Sequence, residues 1–385
     1  MSAAYSLLKR FKGEYYPIRP MFRRDSRVEH RPRLEDVAAR VGVSIASVSL
    51  VLRGAPGPSA ETRRRVLEAA AELGYRADRA ASMLARRRKH LLGVMLDVRN
   101  PFHAELAEEI HMAADRKGYE VVLSTLTRGR DEAGAIETLL DFRCEAVLLL
   151  GPDATGAQLG KLAAEVAVVV IGRRVTDPSV DVVRPADNVG VAEILDHLIG
   201  LGHRRIAFID GGRGVVATAR RRGYRDAMRR AGLAEHITII PGDHTEEGGS
   251  RAGRLVVGLG ERPSAVVASN DRGAVGALDA FVRAGLEVPR DISIVGYDDS
   301  TLARLAHIDL TTVNQDAAAQ AQHAVDAAVE RLDGGRTEPV EIVLRPRLVI
   351  RSSTGPVAGT SDDPSEALGE GAPNAVPIPV IRKRA

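Results

Sequence analysis

Two periodicities divide the chain. Between residues 34 and 76 apolar positions recur at helical spacing: Leu34, Val37, Ala38 and Val41, then Val48, Val51 and Leu52, then Val66, Leu67, Ala70 and Leu73. Recurrence at i, i+3, i+4 and i+7 marks one face of a helix. Gly42-Val43-Ser44 breaks the first helix, and the Ser44 hydroxyl is placed to cap the second by accepting from an orphan N–H. Pro56, Gly57 and Pro58 make a loop, Ser59 caps a third helix over 60–73, and Gly74 stops it. A further short amphipathic segment, 79–89, ends in Arg86-Arg87-Arg88-Lys89. From Leu91 the pattern changes. Short apolar runs at 91–96, 120–124, 146–150, 167–171, 205–209, 237–240, 265–268 and 292–295 alternate with helix-length segments such as 104–117, 189–201, 219–231 and 272–284. Strand and helix in alternation predict parallel sheets in an α/β fold.

The ends do not share either pattern. Residues 1–30 are basic and non-periodic and read as a disordered extension, with Met21 an alternative start closer to the first helix. Residues 352–385 are rich in Gly, Pro, Ser and acidic side chains and read as a disordered tail. The resulting division is 1–30 extension, 31–77 helical domain, 78–90 linker, 91–351 α/β domain, and 352–385 tail.

Charge sharpens this division. The whole chain carries only +3, but residues 1–90 hold 20 basic against 9 acidic side chains, and the remainder 34 against 42. A basic head on an acidic body suits a polyanion at the head alone. The single cysteine, Cys144, excludes an internal disulfide and reads as a core thiol. No apolar run approaches the roughly 20 residues that span a bilayer, and no apolar stretch follows Lys9, Arg10 and Lys12 as a secretory signal requires. The cytoplasm is the expected compartment.

A helix-turn-helix lays its second helix in the major groove and braces it with the first. LEDVAARVGVSIASVSLVLR (34–53) has these parts, with Ile45, Ala46, Ser49, Leu50 and Arg53 on the outer side of the second helix. Apolar Ile45 and Leu50 are unusual choices for a merely solvated face. The run DVAARVGVS (36–44), SVSLVL (47–52) and SAETRRRVLEAAAELGYRADRAASMLARRR (59–88) resembles the DNA-binding head of the lactose-repressor (LacI/GalR) family of bacterial regulators. The likeness continues to about Arg351, over some four-fifths of the chain. It implies an all-α helix-turn-helix head followed by a two-lobed α/β domain like the periplasmic binding proteins, with three crossings between lobes and ligand in the cleft.

On this resemblance the base-reading positions fall on Ile45, Ala46 and Leu50. The position of Leu50 often carries Arg in the family. Arg makes bidentate contacts to guanine, whereas Ile, Ala and Leu meet thymine methyls, so an altered operator preference is expected. Ser44 opens the recognition helix; Ser47, Ser49 and Arg53 suit phosphate contacts. The family's hinge helix matches 78–86, with Arg79 in it and Leu84 at the place of the leucine that pries open a central minor-groove step.

The stretch VVASNDRGAVGALDAFVRAGLEVPRDISIVGYDD (266–299) matches the family's effector-domain signature. Ligands on open α/β sheets sit at the carboxyl ends of strands. Asn270, Asp271 and Asp298 stand at such ends, although Asp271 serves equally as the cap of the helix that follows. The resemblance places Arg220 at a hydroxyl-contacting position, Asp97 and Phe102 on the wall of the first lobe, and His244 where some relatives stack a tryptophan. Arg221 and Arg222 read as a solvated face. There is no Trp in the chain, so indole stacking on a sugar is excluded.

The sequence Gly212-Arg213-Gly214-Val215-Val216-Ala217 matches G-x-G-x-x-A after a candidate strand, but no acidic residue about 20 positions on completes a dinucleotide fingerprint. A cleft loop is the better reading. His103, His111 and His197 lack ligand spacing and read as surface or core histidines. No catalytic set, metal site or cofactor is expected. The reading is therefore a homodimeric regulator, a repressor by expectation, that binds pseudo-palindromic double-stranded operator DNA and a sugar or related polar effector, with no membrane partner. A solute-binding protein and an NAD-dependent enzyme are the rivals.

Overall fold

The computed structural model describes residues 32–52, 54–75, 88–357 and 380–383. They belong to two compact units divided after Arg87. The first unit holds α1 (Leu34–Val41), α2 (Ile45–Leu52) and α3 (Ala60–Glu72). Gly42 takes φ +75° at the end of α1, a conformation that costs glycine little. The Ser44 hydroxyl accepts from the Ser47 N–H at 3.1 Å, and Ser59 accepts from Thr62 at 3.2 Å, as expected of both caps. Val37, Ala38, Val41, Val48, Val51, Val66, Ala69 and Ala70 close one small core. Leu67, expected on the inner stripe of α3, is instead exposed. It lies about 100° around the helix from Val66, and Ala69 fills the inner place.

The second unit begins with β1 (Leu91–Asp97), α4 (Pro101–Arg116), β2 (Glu120–Leu126), α5 (Glu132–Asp141), β3 (Ala146–Leu150), α6 (Gly156–Ala163), β4 (Ala167–Ile171) and β5 (Asp181–Pro185). After a first crossing come α7 (Asp187–Gly200), β6 (Ile206–Ile209), α8 (Val215–Arg230), β7 (Thr238–Ile240), α9 (Glu246–Val257), β8 (Ala265–Ala268), α10 (Asp271–Arg283) and β9 (Ser293–Val295). Beyond β10 (Thr312–Asn314) the chain returns to the first lobe for α11 (Ala317–Leu332) and β11 (Val340–Leu344), then crosses again into β12 (Arg347–Val349). A last strand, β13 (Val380–Lys383), pairs antiparallel with β11. The first lobe's sheet runs β13-β11-β5-β4-β3-β1-β2, and the second lobe's runs β7-β6-β8-β9. All other neighbours within these two sheets are parallel.

β3 and β4 are continuous apolar runs because helices cover both faces of a parallel sheet. α9 and α10 meet almost backbone to backbone. A side chain at Gly249 would lie 2.1 Å from the Gly273 carbonyl oxygen, and one at Gly276 would lie 2.0 Å from that of Glu246. The domain also extends past its expected end. The Ser353 hydroxyl donates to the Ile294 carbonyl at 2.6 Å, and the Val357 N–H donates to that of Leu201 at 3.2 Å. Ser353 is buried by these neighbours, and 380–383 form a strand, so these two parts of the expected disordered tail are ordered.

Candidate functional site

On α2, Val48 and Val51 are buried while Ile45 and Ala46 are exposed; Ser47, Ser49 and Leu50 are partly exposed. Ser44 is exposed, yet its hydroxyl is already engaged, lying 2.9 Å from that of Ser47. The outer face of α2 is thus set by a cap at its start and by two valines beneath it. Arg63 and Arg65, which the sequence reading passed over, tie the three helices together. Arg63 donates to the Ala55 carbonyl at 2.8 Å, and Arg65 to that of Val41 at 2.7 Å. Arg53, Arg79 and Leu84 lie outside the described residues.

The two lobes enclose a cavity of about 430 Å³. Asp97, Phe102, Arg220, His244, Asn270 and Asp298, all singled out in the sequence, line it. Arg220, projecting from α8, is buried. Its Nε donates to Asp187 at 2.9 Å and its Nη1 to the Ser269 carbonyl at 2.6 Å. The guanidinium stacks on the Tyr297 ring at 3.7 Å, with Asp298 also 3.7 Å away. Burial opposes the charge, but Asp187, Tyr297 and Asp298 outweigh it and keep the guanidinium protonated. Burial, only partly offset by Arg220, pushes the Asp298 carboxyl well above the usual carboxylate range. Gln315 donates to it at 2.5 Å.

Asn270 has less to offer a ligand. Its carbonyl oxygen caps α10 by accepting from Gly273 at 2.9 Å, and its amide donates to the His244 carbonyl at 3.2 Å. Asp271 is a correction. It is fully buried and does not line the cavity. Its carboxylate accepts from the Ser300 N–H at 2.7 Å, the Ser300 hydroxyl at 2.9 Å and the Thr312 hydroxyl at 2.5 Å. It is neither an effector contact nor the cap; it holds the loop after β9 against β10. Arg221 also departs from the solvated-face reading, since it pairs with Asp210.

The structure adds residues that sequence reasoning missed. His103 lines the cavity, and its Nδ1 accepts the Asp97 N–H at 3.1 Å, leaving the proton on Nε2. Burial lowers its pKa to about 4. Burial and then Arg220 lower that of His244 to about 4 as well, and its Nε2 lies 3.1 Å from the Ser269 hydroxyl. Both imidazoles are neutral near pH 7. Arg173 is buried in the first lobe's wall, where it donates to the Ala154 and Arg174 carbonyls while its Nε has no partner. Its position two residues past the run 167–171, at a strand's carboxyl end, was the signal available. Glu105 joins the lobes, accepting from Arg304 at 2.8 Å and from the Thr301 N–H at 2.5 Å. The loop 211–214 faces the cavity, as a cleft loop should. Among the described residues no His, Cys, Asp and Glu group could hold a metal, and no helix is long and apolar enough to cross a membrane.

A family model for bacterial regulatory proteins of the lacI family matches residues 33–78, and one for the periplasmic binding protein-like domain matches 195–354. The transcriptional regulator CelR of Thermobifida fusca is 34% identical over 336 residues, covering 84% of this chain and 98% of its own. The chain belongs to the LacI family. MalR of Streptomyces coelicolor is 34% identical over 346 residues, covering 86% of this chain and 99% of its own. The ribose operon repressor of Escherichia coli is 31% identical over 327 residues, covering 83% and 99% respectively. Among solved structures, a Rhodococcus LacI transcriptional regulator matches with 44% identity and TM-score 0.68, covering 69% of this chain and 99% of that one. The lac repressor dimer bound to operator and the anti-inducer ONPF matches with 29% identity and TM-score 0.74, covering 85% and 100%. As a LacI-family member the chain is an effector-controlled, DNA-binding transcriptional regulator and not an enzyme. Both rival readings fall with that assignment.

Proposed function

We propose that this LacI-family regulator is a cytoplasmic homodimeric repressor whose effector is a sugar or related polyhydroxylated metabolite. The carrying observation is the cavity between the lobes, in which buried Arg220 and Asp298 stand 3.7 Å apart beside two neutral imidazoles. Both hydrogen-bond donors and acceptors line it, as ligand hydroxyls require. With no indole available, recognition rests on hydrogen bonds rather than broad stacking. In this reading residues 31–77 and the hinge 78–90 contact duplex operator, with Ile45, Ala46 and Leu50 reading bases and Leu84 acting as the wedge. Exposed Met112, Leu123, Leu255 and Val282 supply apolar surface for a partner subunit. The CelR–cellobiose complex, 32% identical, and the ribose operon repressor support the effector class. The test is thermal melting of the full chain with a sugar panel that includes cellobiose and ribose. A true effector at about 100 times its Kd stabilises by roughly 2.7 kcal/mol, and the same sugar should change affinity for a duplex selected by the protein. A panel in which no sugar shifts melting would remove sugars as the effector class.

A further inference from the structure

Arg88 opens the second unit, and several groups of the first lobe converge on it. Its guanidinium donates to Asp333, to the Tyr119 hydroxyl at 2.8 Å and to Glu145 at 2.9 Å. The Tyr119 hydroxyl in turn donates to Asp333 at 3.1 Å. Glu145 also accepts the N–H groups of Lys89 at 2.6 Å and His90 at 3.3 Å. His90 sits at φ +54° with its ring stacked on Tyr119 at 5.0 Å between centroids. An isolated surface ion pair does little. Here a buried phenol, a largely buried carboxylate, a second carboxylate and two main-chain donors fix three consecutive residues, and the non-glycine left-handed backbone at His90 is held by its surroundings.

The position of this cluster gives it a use. α4 begins at the cavity with Phe102 and His103, and Tyr119 stands just past its other end. α11 follows Gln315, carries Gln320 near its start, and ends at Asp333; both glutamines line the cavity. The two helices share one core and each spans about 24 Å. Two rigid elements that start at the effector cavity therefore end at the point where the chain arrives from the DNA-binding unit.

We infer that Arg88, Asp333, Tyr119 and Glu145 form a clamp that fixes the hinge to the effector domain, and that specific operator binding depends on it. The inference rests on the reading of 31–90 as the DNA-contacting part. These are positioning residues: ordering a short segment on DNA is opposed by chain entropy, and a fixed end reduces that cost. The experiment uses the full chain, a duplex selected by the wild-type protein from a random pool, and a scrambled duplex of equal length. Asp333 is partly exposed, so Asp333→Asn should fold. Asp333→Asn is expected to bind the selected duplex about tenfold more weakly, with scrambled-duplex affinity and melting temperature unchanged. Trypsin should cut the DNA-bound variant faster within 79–87. Asp333→Glu should restore binding to within about twofold. Unchanged selected-duplex affinity in Asp333→Asn and Tyr119→Phe would overturn the clamp, as would equal losses on both duplexes. A selection that enriches no duplex would overturn the DNA-binding reading and the clamp with it.

Discussion

Arg220 and Asp298 share one cavity but differ in what surrounds them, so their substitutions should differ. Asp298→Asn keeps the shape and the acceptor for Gln315, and asparagine tolerates a positive φ better than most residues. It should fold normally and weaken effector binding about 10- to 100-fold, the equivalent of roughly 1–3 kcal/mol for one lost buried partner, as read by titration of the effector identified by melting. Arg220→Ala should abolish the response and also lower the melting temperature, because Asp187 is left buried beside Tyr297 without its cation. Normal response in both variants would place the effector elsewhere. The two imidazoles give a second prediction. Their folded pKa values of about 4 lie below the ordinary 6.5. The unfolded chain thus binds more protons between those limits, and stability is full above about pH 6.5 and falls as pH drops toward 4. Asp298, with its raised pKa, acts with the opposite sign, losing stability as pH rises from the ordinary carboxylate range. Melting from pH 7.5 to 4.5 should therefore fall less steeply in His244→Gln than in wild type; identical slopes would contradict the burial of a neutral His244. At this scale Arg220 and His244 were legible through the family resemblance, and Asp298 through its place at a strand end. His103 was not, because one histidine beside Phe102 looks like any core residue, and Asp271 misled because its strand-end position also suits a purely structural carboxylate.

Secondary-structure elements were legible where burial made them uniform. The apolar runs of β3 and β4 coincide with the sequence reading, since both faces of those strands are covered. β5 escaped it because Asp181 and Arg184 interrupt the run; Asp181 is buried with its carboxylate held by Arg331, Arg336 and the Val340 N–H. α9 escaped it through its glycines, which look like a loop in sequence yet permit contact with α10. β10 and β12 are three residues each, too short for a period. For the DNA-contacting elements the expectation rests on the hinge. Leu84→Ala should weaken binding to a selected duplex far more than to a scrambled one, because it removes the insert that offsets unstacking at about a few kcal/mol per step. Equal losses would make Leu84 a linker residue. On α2, Leu50→Arg should move the selected sequence toward guanine at one position in each half-site, with discrimination of about 1–3 kcal/mol, as read by repeating the selection with the variant.

For the whole molecule, the basic head and acidic body visible in the sequence agree with the division after Arg87. The lobes, their parallel sheets and the three crossings were expected from alternation and resemblance together. The ordered stretch 352–357 and the strand 380–383 were not, because the first is mostly polar and hides main-chain hydrogen bonds that the domain itself completes, and the second, Val-Ile-Arg-Lys, is too short for a period. The central claim is that residues ahead of Arg88 bind DNA and the rest senses a small molecule. Anisotropy titration of a selected duplex against the full chain and against residues 88–385, between 50 and 200 mM salt, tests it most directly. The full chain should bind with a steep loss of affinity as salt rises, since Lys and Arg contacts release condensed counterions. Residues 88–385 should melt cooperatively, keep the effector-induced rise in melting temperature, and show no duplex binding at any salt. Operator binding by residues 88–385, or a full chain whose affinity ignores salt, would contradict the account.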